Sequence, residues 1–316
     1  MLGERRCSVP YKTVHRGHHH FGWDNGLPPV AQVSPGEVVE FEVVDASGGQ
    51  LSPASTAEDV ARLDFARVNP VTGPVFVEGA EPGDALVVEV VGLEGSGWGW
   101  TAIIPGFGLL AEDFPKPHLH LSRYTQEGVE FLPGVRLPYS PFPGTLGVAP
   151  GAPGVHSVVP PREVGGNLDI RDLGEGARLY LPVQVPGALF SVGDTHAVQG
   201  DGEVCGTAVE SPMRLTLRFD LKKAAHLPRP AFETPARAAG GPGDRGFFAT
   251  TGIAPDLMVA AKDAVRYMID HLGREYGLSP EAAYMLCSVA VDLRISEVVD
   301  APNWVVSAYL PKGVFL

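Results

Sequence analysis

The 316-residue chain has few of the features that mark secreted, nucleic-acid-binding or membrane proteins. Its three cysteines, Cys7, Cys205 and Cys287, are odd in number and widely spaced, which excludes a disulfide framework and fits a reducing cytoplasm. The net charge is −13, and without a basic surface we expect no nucleic-acid partner. No apolar run is long enough to span a bilayer, and the N-terminus lacks the apolar stretch of a signal peptide. The sequence therefore predicts a cytoplasmic protein without a membrane partner.

Glycine and proline are abundant instead, with 39 and 30 residues, and neither follows a repeating period. This composition, with 44% hydrophobic residues, favours many short strands joined by turns. We predict a mainly β fold of sandwich-like or barrel-like sheets with a C-terminal α/β portion, α+β overall. A change in composition near Lys223 predicts a mainly β catalytic region over 1–223 and a C-terminal region with two helices over 224–316.

Local patterns place the elements within this fold. Alternating apolar residues predict strands in 28–45, 81–92, 179–185 and 247–254. A short helix is predicted within 52–68, with Ser55 or Thr56 as its cap, and longer helices over 256–272 and 280–294. The glycine-rich and proline-rich stretch 95–155 is expected to form long connections that border a site.

The polar residues with the strongest chemical signal lie between Val185 and Glu210. Apolar runs on both sides of the Asp201-Gly202 pair predict a hairpin whose second strand covers 204–209. Alternation along a strand puts Asp194 and His196 on one face, and pairing parity adds Glu203. Two carboxylates and an imidazole suit a divalent metal, although polar residues at a hairpin tip are often only solvated turn residues.

A second polar patch lies upstream, where Gly165-Gly166 precedes Asn167 and Asp169. Asp169 and Asp194 are expected on neighbouring strands, so Asp169, Asp194 and His196 form the predicted metal-ligand set. The segment 15–25 holds four histidines followed by Trp23 and Asp24. His20 or Asp24 could complete the site with Trp23 as an apolar wall, and a solvated loop is an equally weighted alternative.

Two further groups are assigned structural roles. His118 and His120 share a strand face, but no acidic residue is near them in sequence, so a structural role is favoured over a metal site. Cys205 has no basic neighbour that would activate its thiol, and we expect a small core residue rather than a nucleophile.

Several segments resemble the acetamidase/formamidase family, and they are spread over essentially the whole chain. The longest, residues 179–203, reads LYLPVQVPGALFSVGDTHAVQGDGE, and shorter ones are FGWDN at 21–25, GGNLD at 165–169, and the stretches 282–296 and 302–312. The resemblance implies a mainly β protein that hydrolyses short aliphatic amides to carboxylate and ammonia. It also implies a divalent metal, zinc or calcium, with zinc favoured.

The expected chemistry is therefore metal-assisted hydrolysis of an amide such as formamide or acetamide. Glu203 is expected to move the proton, Asp201 is a second catalytic candidate, and Asn167, His20, Trp23 and Asp24 are substrate-binding candidates. The alternative is a non-enzymatic β-protein that binds a metal or small metabolite through the same residues. The acidic charge and the apolar C-terminus (Val314, Phe315 and Leu316) favour a homo-oligomer, a dimer before larger assemblies.

Overall fold

The computed structural model of the chain describes residues 12–236 and 245–315. Strands make up most of its regular structure, and the two long helices lie near the C-terminus. The prediction of a mainly β, α+β fold is confirmed. Cys7, Leu316, the N-terminal residues that were searched for a signal peptide, and residues 237–244 of the region after Lys223 lie outside the described residues.

The largest sheet has nine strands, and neighbours in it are antiparallel except for its first pair. Along β17 (Met213–Lys222), a long strand of this sheet, buried apolar side chains alternate with polar ones that are more exposed. One face of the sheet is therefore buried and the other meets water. In spatial order the strands are β1 (Lys12–Val14), β5 (Val38–Val43), β17 (Met213–Lys222), β7 (Ala85–Gly95), β15 (Arg178–Pro182), β18 (Ala231–Glu233), β19 (Phe247–Ala254), β21 (Trp304–Pro311) and β20 (Asp292–Glu297).

A second sheet carries the residues of interest, and the structure has two smaller sheets besides. Its order is β14 (Gly165–Asn167), β12 (Phe142–Gly147), β16 (Phe190–His196), β6 (Val71–Val77) and β2 (His19–His20), with β4 (Ala31–Val33) also paired to β6. The smaller sheets contain β11 (Val135–Leu137), β10 (Gly128–Leu132), β9 (His118–Thr125) and β8 (Trp98–Ile103) in one, and β13 (His156–Ser157) with β3 (Gly22–Trp23) in the other.

The main core lies between the nine-stranded sheet and the second sheet. Phe190 on β16 packs against Phe41 and Phe219 of the nine-stranded sheet, with ring centroids 5.9 and 5.1 Å apart. All three rings are fully buried, and burial of an aromatic ring of this size contributes about 1.5–3 kcal/mol to stability. This packing holds β16 in place behind the site, and it is the face-to-face arrangement expected of a sandwich.

The helices begin and end at local signals. Helix α1 (Ala57–Val60) follows Thr56, and a 3-10 turn covers Phe65–Arg67. In α2 (Leu257–Tyr276) the Asp256 carboxylate accepts the Val259 amide at the start, and Gly277 adopts a left-handed conformation at the end. Helix α3 (Pro280–Ala290) has Ser279 as its cap and proline in its first turn, and a further 3-10 turn covers Lys312–Val314.

The predicted end of α3 at residue 294 is wrong. The helix ends at Ala290, and Asp292–Glu297 is an edge strand paired with β21. Val289 and Leu293 were expected on the buried stripe, but they are 82% and 51% exposed. The pairing of Leu293 with Ala308 replaces the helical hydrogen bonds, so contact with the sheet decides the conformation here.

Two other local predictions are corrected. Residues 95–155 contain strands β8 to β12 rather than only long connections, because glycine and aromatic residues also form these strands. The predicted hairpin partner at 204–209 is not a strand: β16 pairs with β12 and β6, and Val204 is 57% exposed. The end of the loop after β16 returns to this strand through an isolated bridge between His196 and Glu210 and through backbone hydrogen bonds such as that from Ser211 N–H to the Thr195 carbonyl.

The division at residue 223 stays a prediction. Strands from both sides of this position belong to the nine-stranded sheet, where β15 pairs with β18. Val314 and Phe315, which suggested an oligomer contact, pack against the cluster around α2 and α3, and the Phe315 ring stacks on Tyr276. Within the described residues, no helix is both long and apolar enough to cross a membrane.

Candidate active site

Two carboxylates and one imidazole meet next to a glycine of β12, the strand that lies between β14 and β16. Asp194 and His196 belong to β16, and Asp169 follows β14. Strand β12 lies between β14 and β16, so the prediction that Asp169 and Asp194 occupy neighbouring strands is wrong. They converge because Gly144 on β12 has no side chain: a Cβ there would lie 2.3 Å from Asp169 Oδ1 and 2.9 Å from Asp194 Oδ2.

The loop after β16 supplies two glutamates to the same point. His196 Nε2 lies 3.1 Å from Asp194 Oδ1 and 3.1 Å from Glu210 Oε2. Glu203 Oε1 lies 4.0 Å from the same nitrogen. The convergence predicted for Asp194, His196 and Glu203 is therefore present, although a loop rather than a second hairpin strand brings Glu203 there.

Gln199 orients the imidazole. Its amide nitrogen donates to the Asp169 carbonyl at 2.8 Å, which leaves its oxygen facing His196 Nδ1 at 2.9 Å. Because an amide oxygen can only accept, Nδ1 carries a proton and donates it to Gln199. In the neutral form of the ring the free electron pair is then on Nε2, which faces Asp194 and Glu210, and this is the tautomer that a metal ligand needs.

A second layer of polar side chains stands behind these groups. Thr145 donates to Asn167 Oδ1 and also lies 3.3 Å from Asp194 Oδ2. The Asn167 amide nitrogen donates to Asp300 Oδ2. Glu297 accepts the backbone amides of Val299 and Asp300 and holds the turn that brings Asp300 to the site. Both polar ends of Asn167, a predicted substrate-binding residue, therefore have protein partners.

Burial raises the pKa of most carboxyls in this group. The pKa values of Asp169, Glu203 and Asp300 lie well above their ordinary values, first because of burial and then because of neighbouring carboxylates. Burial also raises the pKa of Glu210 to about 7 and that of Glu297 to about 7.

The pKa values of Asp194 and His196 shift in the direction opposite to the one that burial alone would produce. Burial alone would raise the pKa of Asp194, but the nearby imidazolium and its hydrogen bonds lower it overall. Burial alone would lower the pKa of His196, but the charges of Glu210 and Asp194 raise it well above its ordinary value. Four carboxyls, those of Asp169, Asp194, Glu203 and Glu210, thus lie within 4.0 Å of one imidazole that cannot neutralise them all, and a protein interior tolerates such charge only with protons or a bound cation.

The backbone at the site is held in an unusual conformation. Asp169, Asp194 and Glu203 have φ values of 45°, 52° and 46°, in the left-handed region that non-glycine residues seldom occupy. Such conformations cost on the order of 1–3 kcal/mol each and concentrate at functional sites. The fold therefore accepts strain at three acidic residues whose side chains point to one place.

The donor set fits a divalent cation. Both carboxylate oxygens of Asp169 are buried without a hydrogen-bond donor among the described residues, and Glu210 Oε2 is buried against His196 Nε2 at 3.1 Å. Two groups have ligand atoms within 4.8 Å of one another: Asp169, His196 and Glu203, and Asp194, His196 and Glu210. Unpartnered buried carboxylate oxygens are costly, so their presence points to a cation at this position.

The cluster forms the floor of a cavity of about 220 Å³. Asp194, Glu203, Glu210, Asp300 and Asn167 contribute polar groups to it. Apolar side chains from three segments, 46–68, 100–107 and around Val159, form most of the remaining wall. A small molecule can therefore reach the carboxylates while its apolar part stays out of water.

The other predicted site residues lie elsewhere. His20 contacts Ser191 Oγ at 2.8 Å and the Gly22 carbonyl, and its pKa is lowered mainly by burial. Trp23 is buried against Val71 and Val158, and Asp24 accepts the Gly26 amide in a turn. Asp201 is exposed and pairs with Arg171 at 3.2 Å. In the described part of the chain, the cavity wall includes none of these four side chains.

The residues assigned structural roles have other surroundings too. Cys205 Sγ donates to the Thr207 carbonyl at 3.3 Å, and the described cavity wall does not include it. His118 and His120 lie on β9, where the His120 ring meets Phe131 edge-on with centroids 4.7 Å apart.

Three acidic site residues were missed from the sequence, as was Gln199, which lies only three positions after His196. Glu210 follows immediately after the apolar run 204–209, and extending the polar pattern by one residue would have included it. Asp300 and Glu297 are distant in sequence, and only the turn after β20 brings them to Asn167. No spacing within the central stretch carries that information.

Comparison with known proteins connects this geometry to a family. The profile described as the Acetamidase/Formamidase family matches residues 10–158 and 151–316. A formamidase of Methylophilus methylotrophus is 29% identical, over 95% of this chain and 90% of that protein. The solved acetamidase of Bacillus halodurans is 34% identical with a TM-score of 0.87, and the alignment covers 96% of this chain and 98% of that one. A structure from Thermoanaerobacter tengcongensis, described as a predicted acetamidase/formamidase, is 32% identical with a TM-score of 0.88 and 96% coverage of both chains.

Proposed function

We propose that this chain, which belongs to the acetamidase/formamidase family and is an amide hydrolase, splits short aliphatic primary amides at a divalent metal held by its buried acidic cluster. Formamide and acetamide are the substrates that the names of its relatives suggest. The observation that carries the proposal is the set of buried carboxylate oxygens without hydrogen-bond partners around His196.

Asp194, His196 and Glu210 are the proposed ligands, with Asp169 beside them. The imidazole nitrogen favours zinc over calcium, which prefers oxygen ligands alone, and a mixed carboxylate and imidazole set suits zinc. When bound, such a metal polarises a carbonyl and lowers the pKa of a water molecule from about 15.7 toward 7. Gln199 contributes by keeping His196 in the tautomer whose Nε2 is free.

Glu203 is the proposed proton carrier. Its carboxyl borders the cavity, and burial raises its pKa, which suits a group that takes up a proton and returns it. Glu203 Oε1 would accept the proton of the attacking water and return it to the leaving nitrogen, so that ammonia departs and the carboxylate product remains. Asp201 stays an untested catalytic candidate; its exposure and its pairing with Arg171 give it a different environment.

The side chains around Asn167 position the reacting groups. Thr145 and Asp300 hold the Asn167 amide from both ends, and Thr145 also contacts Asp194. This network fixes the cavity floor and leaves Asp300 free to accept from an amide NH2 group through its remaining lone pairs. Direct substrate binding by Asn167, His20, Trp23 or Asp24 stays a prediction without support from their contacts.

Ammonia release from formamide and acetamide tests the proposal. The protein as purified should release ammonia, dialysis against a chelator should remove most of that activity, and adding zinc back should restore it. Turnover that survives complete metal removal, verified by elemental analysis, would contradict the metal part of the proposal. The alternative of a non-enzymatic binding protein is set aside because the family consists of amide hydrolases.

We also propose that the protein is a homo-oligomer, with a dimer favoured, because apolar side chains on α3 are exposed. Val314 and Phe315 are used inside the protomer, but Tyr284, Met285 and Val289 on α3 are 63%, 65% and 82% exposed. Apolar side chains grouped on one helix are common at subunit contacts. Light scattering coupled to size exclusion should give twice the 33.4 kDa chain mass for a dimer, and the chain mass itself would exclude one.

A further inference from the structure

We infer that the cavity is an acyl pocket, and that the enzyme prefers primary amides with an apolar acyl group of about four to six carbons over formamide and acetamide. This inference rests on the proposed function, because it names which amides reach the cluster.

The wall opposite the carboxylates is apolar. Its side chains come from the segment before and after α1, from β8 and the turn that follows it, and from the region near β13. They include Ala46, Leu63, Trp100, Ile104, Phe107 and Val159. Formamide has no carbon chain to place against such a wall, so the wall offers binding energy only to longer acyl groups.

Most of the polar atoms within this wall are already used, although the side chain of Asn69 also lines the cavity. Ser47 Oγ donates to Asp45 and accepts the Leu51 amide, and Thr207 Oγ1 bonds both backbone groups of Ala102. The Trp100 indole nitrogen donates to Asp45 at 3.0 Å, so its polar group is satisfied within the protein. A substrate tail that enters this region therefore meets carbon atoms, with few free hydrogen-bonding groups to select a polar tail.

The size of the cavity sets the length of the acyl group. A cavity of about 220 Å³ lies somewhat below the ~300–1,000 Å³ that is usual for small-molecule pockets, and it has more room than the non-hydrogen atoms of acetamide need. The three atoms of the amide group take a part of this space next to the cluster. The rest accommodates a chain of about four carbons beyond those atoms, which is more than acetamide fills.

The charge of the floor excludes another class of substrate. Asp194, Glu203, Glu210 and Asp300 all face the cavity, so a carboxylate on the substrate would meet carboxyl groups of the protein at the floor and apolar side chains at the wall. We therefore expect uncharged amides such as butanamide and pentanamide to be preferred over succinamate, which is of similar length and carries a carboxylate.

A homologous series of amides tests the inference on the metal-loaded enzyme. From acetamide to pentanamide, kcat/KM should rise about fourfold for each added CH2, then level off or fall for longer chains. Succinamate should be turned over far more slowly than pentanamide. A kcat/KM that falls steadily from formamide or acetamide to pentanamide would overturn the inference while leaving amide hydrolysis intact.

Two substitutions, one that fills the cavity and one that enlarges it, test whether these side chains form the acyl pocket. Ala46→Leu fills part of the cavity and should lower the ratio of pentanamide to acetamide kcat/KM by about tenfold or more. Phe107→Ala enlarges the cavity and should move the optimum to longer chains. Ala54→Leu is the matched control, since Ala54 is exposed in the same segment, and it should keep the wild-type ratio.

The outcomes separate the two proposals. Equal ratios in wild type, Ala46→Leu and Phe107→Ala would overturn the acyl pocket, even if every variant releases ammonia. Absence of ammonia from every amide of the series, with metal content verified, would overturn the proposed function and the acyl pocket with it. If Ala46→Leu fails to fold, the wild-type series and Phe107→Ala still decide.

Discussion

The side-chain oxygen of Gln199 accepts a hydrogen bond from Nδ1 of His196 at 2.9 Å, and this contact sets which imidazole nitrogen faces the carboxylates. Replacing Gln199 with Leu removes the acceptor and also the donor to the Asp169 carbonyl. Because partners of metal-bound histidines contribute about 10–100-fold to metal affinity or activity, Gln199→Leu should weaken zinc binding by that factor. Competition with a chromophoric chelator measures it. Gln126→Leu, at an exposed glutamine, should bind zinc like the wild type, and equal affinity in the two variants would contradict this role.

Gly144 is predicted to be irreplaceable for activity. In Gly144→Ala the new methyl group would lie 2.3 Å from Asp169 Oδ1 and 2.9 Å from His196 Cε1, so both side chains must move. A displacement of about 1 Å at reacting groups can cost on the order of 10²-fold in rate, and we expect a loss of that size in kcat/KM for acetamide. Gly92→Ala is the control, because a Cβ at Gly92 on β7 meets nothing within 4 Å. Ammonia assays on both variants check the prediction, and full activity in Gly144→Ala would exclude the tight convergence described here.

His271 gives a pH-dependent contribution to stability that is separate from the site. Its ring stacks on Phe248 with centroids 3.6 Å apart, and burial lowers its pKa to about 4, against the weaker opposing charge of Glu275. Between pH 4 and the ordinary value of 6.5, the unfolded chain binds a proton at this residue that the folded protein does not bind. Stability should therefore fall as pH decreases through that window, and the loss should be complete near pH 4.

The variant His271→Phe keeps the stacked ring and removes the titration. Other acidic groups titrate in both proteins, so the comparison concerns the difference between the two curves. Urea unfolding from pH 4 to 7 should show the wild type losing stability relative to His271→Phe as the pH falls. Curves that stay parallel across this range would show that His271 does not titrate in the predicted way.

The elements with local signals were predictable, and those decided by distant contacts were not. The starts of α2 after Asp256 and of α3 at Pro280 are found where they were predicted, whereas α2 continues past its predicted end at residue 272 to Tyr276. The end of α3 is determined by pairing of Leu293 with Ala308, which is a tertiary contact. The same limit explains the hairpin error, because β12 occupies the position beside β16 that the local pattern reserved for residues 204–209.

The candidate site shows the same division. Asp194 and His196 are two positions apart on one strand, and simple alternation predicts their shared face. Asp169 reaches them across Gly144, a relationship that depends on strand order and on a missing side chain rather than on spacing. Asp300 comes from the C-terminal part of the chain through Asn167. Sequence patterns therefore indicated the type of chemistry. Glu210, Glu297 and Asp300, three of the six acidic residues at the site, were found only from the fold.

The central claim, hydrolysis at a metal held by His196 and the surrounding carboxylates, is tested most directly by measuring metal content and ammonia release in parallel on two variants. His196→Ala should lose bound metal and activity together, because it removes the nitrogen 3.1 Å from both Asp194 and Glu210. Cys205→Ser should keep its metal and most of its activity, since the thiol donates to the Thr207 carbonyl and lies outside the described cavity wall. If His196→Ala retains its metal while Cys205→Ser is inactive, the enzyme acts through a thiol nucleophile and the metal mechanism is wrong.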